Sequence, residues 1–260
     1  MFAKMAFAWR WFATALSFFV FGLGGIIIPI IVVPILACMP GNALAREARG
    51  QKFIHFSFAT FIQLMRVMGV LTYEVHGMKQ LREAELVLAN HPTLLDVVFL
   101  IALIPNANCV VKSALTRNPF MRGAIRAAGY TINNGPADEV IVDAQKVFHK
   151  GQVMIVFPEG TRSVPGQPNK LKRGAANIAV RADVDITPVI ISCEPISLTK
   201  QHKWYHIPSR KMHFTITANS KIDIQNFKQE TSSIIGARTL TEYLTTYFHT
   251  EVGVSDSVTK

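Results

Sequence analysis

Two short polar segments carry residue types that can transfer protons and hold an anion. They are residues 90–96, with the sequence NHPTLLD, and residues 157–163, with the sequence FPEGTRS. A histidine titrates near neutral pH, so His91 can take a proton from a hydroxyl nucleophile. Asp96 can hold the imidazole ring and stabilise the imidazolium if a turn brings the two side chains together. At this spacing alone, a histidine that starts a helix beside an unrelated surface aspartate is the commoner arrangement.

The second segment offers groups that suit an anion. Pro158 and Gly160 favour a turn that directs Glu159, Thr161 and Arg162 outward. The planar guanidinium matches a phosphate group, and the threonine hydroxyl can add a donor. The glutamate can bind an acceptor hydroxyl or hold the arginine in place. The alternative without a functional role is an ordinary surface turn in which the glutamate and the arginine form an exposed ion pair.

These segments need elements that position them, and the chain beyond Thr72 supplies a suitable pattern. Short β-branched runs alternate with longer amphipathic runs, which predicts an α/β fold with a mixed central sheet flanked by helices. The predicted strands are residues 72–76, 85–89, 108–111, 130–132, 153–157, 186–192 and 213–218. The predicted helices are residues 93–103, 119–128, 138–149, 172–182 and 233–249. Each polar segment therefore follows an apolar strand, and Pro92 suits the first position of the helix after it.

The N-terminal part of the chain is strongly apolar. Residues 11–44 contain no ionisable side chain apart from Cys38, and this run exceeds the roughly 20 residues that a membrane-spanning helix needs. Its length argues against a cleaved signal peptide. Helix-disrupting residues permit a broken, hairpin-like insertion in place of one tilted span; they are Gly22, Gly24, Gly25, Pro29 and Pro34. A second apolar stretch, residues 53–73, can form the inner arm of a hairpin or an interfacial helix.

Composition restricts the class of protein. The 260 residues are 50% hydrophobic and only 17% charged, with a mean hydropathy of +0.27, which is too apolar for an ordinary soluble domain. A net charge of +10 suits an anionic membrane, an acidic carrier protein or nucleic acid. The scattered basic residues argue against nucleic acid, and the chain has no metal-binding or nucleotide-binding motif. We expect a membrane-embedded segment at 1–71, an α/β domain at 72–250 and a flexible tail at 251–260.

Residues 90–96 and 157–163 together resemble the glycerolipid and lysophospholipid acyltransferase family, of the 1-acyl-glycerol-3-phosphate acyltransferase type. The first segment has the family's HX4D pattern, and the second matches its motif at every position. The resemblance implies transfer of a fatty acyl chain from an acyl-carrier-protein or CoA thioester to the hydroxyl of a lysophospholipid such as lysophosphatidic acid. We expect no cofactor or metal, and we expect the enzyme at the cytoplasmic face of a bacterial inner membrane.

The resemblance also implies roles for individual residues. The catalytic dyad would be His91 and Asp96. The residues at the acceptor and its phosphate would be Glu159, Gly160, Thr161, Arg162, Lys112, Lys172 and Arg173. Pro188 and Val189 would line the acyl side.

One stretch departs from the family pattern. After the glycine equivalent to Gly129, members usually have an Ile-x-Arg ending that helps to bind phosphate, whereas in this chain Ile132 is followed by Asn133 and Asn134. A phosphate would lose one charge-assisted contact, so the basic residues compensate or the acceptor is a non-phosphoglyceride lipid, of the aryl polyene or aminolipid type. The sequence also leaves open a non-catalytic module that binds anionic lipid and a hydrolase that uses water as the acceptor.

Overall fold

The computed structural model describes residues 2–164, 170–203, 205–230 and 232–258. A six-stranded mixed sheet with the strand order β1-β8-β7-β2-β6-β3 forms its centre. The strands β1 to β8 are, in chain order, Leu71–His76, Leu86–Ala89, Ala107–Cys109, Val111–Lys112, Ile132–Asn133, Val153–Val156, Ile186–Glu194 and Met212–Ala218. Neighbours in this sheet are parallel except β7 and β8, which are antiparallel. The predicted mixed sheet is therefore confirmed.

Four parallel strands, β2, β3, β6 and β7, end at the same edge of the sheet. We call this the carboxyl edge, and the edge at which these strands begin the amino edge. Strand β2 alternates between two cores, since Val87 packs in one and Leu88 in the other. Every residue of β2 and β6 is buried because helices cover both faces of the sheet.

Ten α-helices accompany the sheet in the described part of the chain. In chain order, α1 to α10 are Phe2–Ile27, Val33–Cys38, Ala43–Val67, Met78–Arg82, Asp96–Leu103, Arg122–Ala128, Ala137–His149, Gly174–Ala182, Gln225–Lys228 and Ser233–Val258. Helices α3, α5 and α6 cover one face of the sheet, and α7, α8 and α10 cover the other. The short helices α4 and α9 were not predicted.

The predicted strand 108–111 is divided in two. The amide of Val110 bonds to Ile155 O, whereas the amide of Val111 bonds to Thr131 O. The chain thus changes partner between these residues, and β4 pairs with β5 in a separate two-stranded ladder. In this ladder Lys112 lies opposite Asn133.

The apolar N-terminus forms one continuous helical rod, without the break that its glycines and prolines permitted. A π-helical turn at Ile28–Val32 joins α1 to α2. Pro29 lies in this turn, where the altered hydrogen-bond register accommodates the missing backbone N–H. The reversal comes later, at residues 39–42, where the side chain of Asn42 caps α3 by accepting a 2.9 Å bond from Ala45 N. Helix α3 then returns along α1, and the two apolar stretches form a helical hairpin.

Glycines bring this hairpin into close contact with the α/β domain. A Cβ atom at Gly50 on α3 would lie 1.7 Å from the carbonyl oxygen of Ala127 on α6. A Cβ atom at Gly25 on α1 would lie 2.5 Å from the carbonyl oxygen of Phe120. A larger residue at either position would push the backbones apart, so the hairpin packs directly against the domain.

The C-terminal helix extends further than predicted. Helix α10 continues to Val258, through residues that the sequence assigned to a flexible tail. Glu251 accepts a hydrogen bond from Asn219 Nδ2, and Val252 packs against the core beneath α10. These contacts hold the beginning of the segment in helical form. Residues 259 and 260 of the predicted tail lie outside the described residues, and the division into three parts stays a prediction.

Candidate active site

The first polar segment begins where β2 ends at the carboxyl edge. The side chain of Asn90 bonds to the backbone of Ile191 on β7, with Nδ2 donating to the carbonyl at 2.8 Å and Oδ1 accepting from the amide at 2.7 Å. This two-way link fixes the chain just before His91. Helix α5 was predicted to begin at Thr93, but it begins at Asp96. Residues 93–95 instead form a turn around the Asp96 carboxylate. That turn supplies the reversal that the dyad needs.

The turn brings His91 and Asp96 into direct contact. His91 Nδ1 lies 2.8 Å from Asp96 Oδ2. The backbone N–H of Thr93 donates to the same oxygen at 2.7 Å, and the Thr93 hydroxyl donates to Oδ1 at 2.5 Å. The carboxyl group is fully buried, and burial raises its pKa above the ordinary value of 3.8, while the bonds from His91 and Thr93 lower it.

The imidazole ring is held but not enclosed. It stacks on Phe157 with a centroid distance of 4.3 Å, and 18% of the His91 side chain is exposed. Since an ionised carboxylate only accepts, its bond places the proton on Nδ1 and leaves the lone pair on Nε2. Within the described residues Nε2 has no hydrogen-bond partner. The ring therefore offers one basic nitrogen to a reactant.

The second polar segment is bonded to the first. Glu159 Oε1 accepts from His91 N at 3.0 Å, and Oε2 accepts from Ser163 Oγ at 2.8 Å. The amide of Ser163 in turn donates to the carbonyl of His91 at 2.7 Å. Burial raises the pKa of Glu159, and the bonds from Ser163 and His91 lower it. Both oxygens of this buried carboxylate already have partners, so Glu159 joins the two motifs and forms no ion pair with Arg162.

Arg162 is fixed by the loop that follows β7. Its Nη1 donates to the carbonyls of Leu198 and Thr199, both at 3.0 Å. The Leu198 carbonyl also accepts from the amide of Leu94, beside the dyad, at 3.0 Å. Leu198 adopts a left-handed backbone conformation with φ of 54° that aims this carbonyl inward. The Nε and Nη2 groups of Arg162 make no hydrogen bond to any described residue, so they are available to an anion.

The remaining predicted residues fall into two groups. Gly160 turns the chain with φ of 67°, and a Cβ atom there would lie 3.0 Å from Lys172 Nζ, so this ammonium lies against the turn. Thr161 and Arg173 are exposed on the connection between β6 and α8. Lys112 is exposed on the connection that follows β3. By contrast, Pro188 and Val189 are buried within β7, and their role at the acyl side stays a prediction.

Sequence reasoning missed three contributors to this site. Thr93 supplies two donors to Asp96, Ser163 holds Glu159, and Leu198 supplies the carbonyl that bonds both Arg162 and Leu94. The first two lie within the polar segments, where a hydroxyl near a carboxylate is a readable signal. The contribution of Leu198 is a backbone atom from a distant loop, for which the side chain gives no signal.

A histidine oriented by a buried acid, next to exposed cations at the carboxyl edge of a mixed sheet, defines a site that can activate a hydroxyl acceptor near a bound anion. Comparison with known proteins agrees with this class. Residues 72–192 match the family model described as Acyltransferase. This part of the chain is similar to the acyltransferase family, which confirms the resemblance that the two motifs indicated.

Several curated relatives resemble the chain. It is 32% identical over 146 residues to a putative 1-acyl-sn-glycerol-3-phosphate acyltransferase of Caenorhabditis elegans, covering 53% of this chain and 51% of that protein. It is 28% identical over 134 residues to the 1-acyl-sn-glycerol-3-phosphate acyltransferase of Pseudomonas aeruginosa, covering 49% and 52%. The chain thus spans about half the length of the curated relatives it matches.

The fold also resembles a solved structure along its whole length. The crystal structure of the 1-acyl-sn-glycerophosphate (LPA) acyltransferase from Thermotoga maritima superposes with a TM-score of 0.69 over 98% of each chain. The sequence identity is 19%, so this likeness concerns the fold.

Proposed function

We propose that the protein transfers a fatty acyl chain from an acyl-carrier-protein or CoA thioester to the hydroxyl of a lysophospholipid such as lysophosphatidic acid. The observation that carries this proposal is the dyad, in which Asp96 holds His91 Nδ1 and leaves Nε2 open. The acyltransferase family match and the names of the relatives support the same reaction.

The reaction follows from the orientation of the ring. His91 Nε2 removes the proton from the acceptor hydroxyl as its oxygen attacks the thioester carbonyl carbon. Asp96 stabilises the imidazolium that forms. When the tetrahedral intermediate collapses, the carbon–sulfur bond breaks, and the leaving thiolate takes the proton from the imidazolium. The products are the acylated lipid and the free thiol of the carrier.

Direct transfer, without an acyl-enzyme, fits the surroundings of the dyad. Burial raises the pKa of both Cys109 and Cys193 to about 12, so neither thiol is activated as a nucleophile. The Ser163 hydroxyl donates to Glu159. Its proton faces that carboxylate, which supports a scaffolding role for the serine.

For the acceptor phosphate, the proposal uses the cations around the second motif. Arg162 is pre-positioned by the Leu198 and Thr199 carbonyls and keeps two donor groups open. Lys172 lies against the Gly160 turn. Lys112, opposite Asn133 in the β4–β5 ladder, supplies a charge beside the position where the family's arginine is absent. We assign Arg173, exposed at the start of α8, to the same cationic group.

The N-terminal rod supports a membrane location. Residues Lys4–Cys38 form one helical stretch long and apolar enough to cross a bilayer, and 11% of its most apolar window is buried in the protein. Large apolar side chains are exposed along it, among them Phe19, Ile30 and Ile35. We propose that the hairpin holds the protein at the cytoplasmic face of a bacterial inner membrane, where a lysolipid acceptor resides.

A transfer assay tests the proposed reaction. Purified protein would be incubated with acyl-carrier-protein or CoA thioesters and a panel of lysolipids, and products would be identified by mass spectrometry. We expect phosphatidic acid from lysophosphatidic acid. Exclusive conversion of acceptors without phosphate would favour the non-phosphoglyceride acceptor suggested by Asn133 and Asn134, and free fatty acid as the only product would favour a hydrolase.

Arg162→Ala should weaken acceptor binding more than it slows the chemical step. A charge-assisted hydrogen bond contributes about 1.5–3 kcal/mol, so the acceptor KM should rise about 10- to 100-fold with the donor KM unchanged. Initial rates at varied acceptor and donor concentrations measure this. Arg181→Ala is the matched control, because Arg181 on α8 forms an exposed pair with Asp138 on α7, and it should leave both constants unchanged. An unaltered acceptor KM in Arg162→Ala would remove this residue from the acceptor site.

A further inference from the structure

The loop that joins β7 to β8, residues 195–211, lies between the candidate active site and helix α1. Near its beginning, the Leu198 carbonyl accepts hydrogen bonds from Arg162 and from Leu94. Near its end, the Ser209 carbonyl accepts a hydrogen bond from Arg10 Nη2 on α1. We call this segment the β7–β8 loop. It therefore borders both the site and the apolar hairpin.

The β7–β8 loop is cationic. Residues 195–222 contain no aspartate or glutamate. The loop's exposed basic residues are Lys200, Lys203, Arg210 and Lys211. Arg210 lies 3.5 Å from Glu194, whereas the three lysines make no ion pair with any residue that the structure describes. Ammonium groups without an acidic neighbour attract an anionic partner.

Exposed aromatic and apolar side chains accompany these cations. In the loop, Tyr205 is 40% exposed and Ile196 is 41% exposed. On the adjoining end of α1, Trp9 is 54% exposed and Trp11 is 47% exposed. The indole of Trp9 donates to the Met68 carbonyl, which fixes the ring at this end of the hairpin. Tryptophan and tyrosine beside lysine are typical of the interface between a bilayer and water.

Exposed positive charge extends from the loop across the carboxyl edge. The connections after β3 and β6 carry exposed cations, which are Lys112, Arg117, Lys170, Lys172 and Arg173. The acids of the two motifs, Asp96 and Glu159, are buried, and the exposed Glu194 at the end of β7 lies 3.5 Å from Arg210. At the amino edge, exposed acids such as Glu83 and Glu85 lie among exposed bases such as Lys79 and Arg82. A flat anionic surface is therefore attracted more strongly to the carboxyl edge than to the amino edge, where charges of both signs are mixed.

We propose that the β7–β8 loop is a second membrane contact, which binds anionic lipid headgroups and turns the carboxyl edge toward the bilayer. This inference rests on the proposed function, because it gives a membrane-resident acceptor a short path to His91. A bilayer fits better than an acidic carrier protein because the cations are continuous with the exposed apolar face of α1, through the bond from Arg10 to Ser209.

Site-specific fluorescence in the full chain tests this contact. Cys38 is exposed and would first be replaced by serine, while Cys109 and Cys193 are buried. A single fluorophore would then be attached through His202→Cys on the loop, or through Lys79→Cys at the amino edge as the matched control. Vesicles of phosphatidylcholine, with or without phosphatidylglycerol, would carry a headgroup quencher. We expect several-fold stronger quenching at position 202 than at position 79, increased by phosphatidylglycerol and reduced by high salt.

Charge reversal provides a second measurement. Lys200→Glu combined with Lys203→Glu should remove the effect of phosphatidylglycerol on quenching at position 202. The control pair Lys79→Glu and Lys221→Glu changes the net charge equally at the amino edge and should leave that effect intact. Equal quenching at the two labelled positions would overturn the proposal. The proposal would also be overturned if Lys200→Glu with Lys203→Glu left quenching unchanged and slowed transfer only from acyl-carrier-protein thioesters. The loop would then bind the carrier protein and not the bilayer. Quenching without acyl transfer to any lipid would instead remove the proposed function and leave the contact standing.

Discussion

His91→Ala should lower the turnover number for acyl transfer by about 10²- to 10⁴-fold, the range that general base catalysis contributes. The ring is the group that offers an open basic nitrogen to the acceptor hydroxyl, and alanine removes it. The substrates should still bind, because the cations around Arg162 and Lys172 are unchanged. Steady-state turnover at saturating donor and acceptor measures the effect.

The fold should survive the His91→Ala substitution. The backbone N–H of His91 still donates to Glu159, and its carbonyl still accepts from Ser163. His149→Ala is the matched control, since this histidine is exposed on α7 and bonds only to the carbonyl of Gln145 among the described residues. Near-normal turnover by folded His91→Ala protein would exclude the dyad as the catalytic base.

Asp96→Asn should lower turnover by about 10²- to 10³-fold while keeping the geometry of the dyad. The backbone N–H of Thr93 can only donate, so the amide oxygen must take the place of Oδ2 and still accept from His91. The amide nitrogen then faces the Thr93 hydroxyl, which can rotate to accept. What disappears is the negative charge beside the imidazolium, and such a charge at 4 Å contributes about 4 kcal/mol at an effective dielectric constant of 20.

Two comparisons separate charge from geometry at this position. Asp96→Ala leaves the Thr93 N–H without its partner, so it should lose more activity than Asp96→Asn and also lower the melting temperature. Asp143→Asn, at an exposed pair with Lys146, should change neither quantity. If Asp96→Asn kept wild-type turnover, the charge of the acid would have no part in the reaction.

Much of the fold could be predicted because its signals are local. The strands β2, β6 and β7 consist mostly of apolar and β-branched residues, and the face of α7 repeats at helical spacing, so their positions follow from the sequence pattern. The resemblance to the family could also be predicted, because each of the two motifs is a continuous stretch of sequence. The boundary at Asp96 could not be predicted in this way, because a side-chain hydrogen bond to Thr93 replaces the first helical turn.

Roles that depend on tertiary contacts were less accessible. Glu159 was identified as a site residue, yet its function of joining the motifs depends on the approach of His91 from the other segment. The Leu198 carbonyl reaches Arg162 from the β7–β8 loop, far away in the sequence. The helical rod stayed continuous through Pro29 because a π-helical turn absorbs the proline, and composition alone does not distinguish such a turn from a break.

The glycine contacts of the hairpin have a mechanical consequence. Because α3 meets α6 backbone to backbone at Gly50, and α1 meets Phe120 at Gly25, no compressible layer of side chains separates the hairpin from the catalytic domain at these points. The two parts cannot slide past each other without breaking these contacts. The distance between His91 and any surface on which the hairpin lies is then fixed by the fold. The site can therefore reach groups at only one depth in that surface.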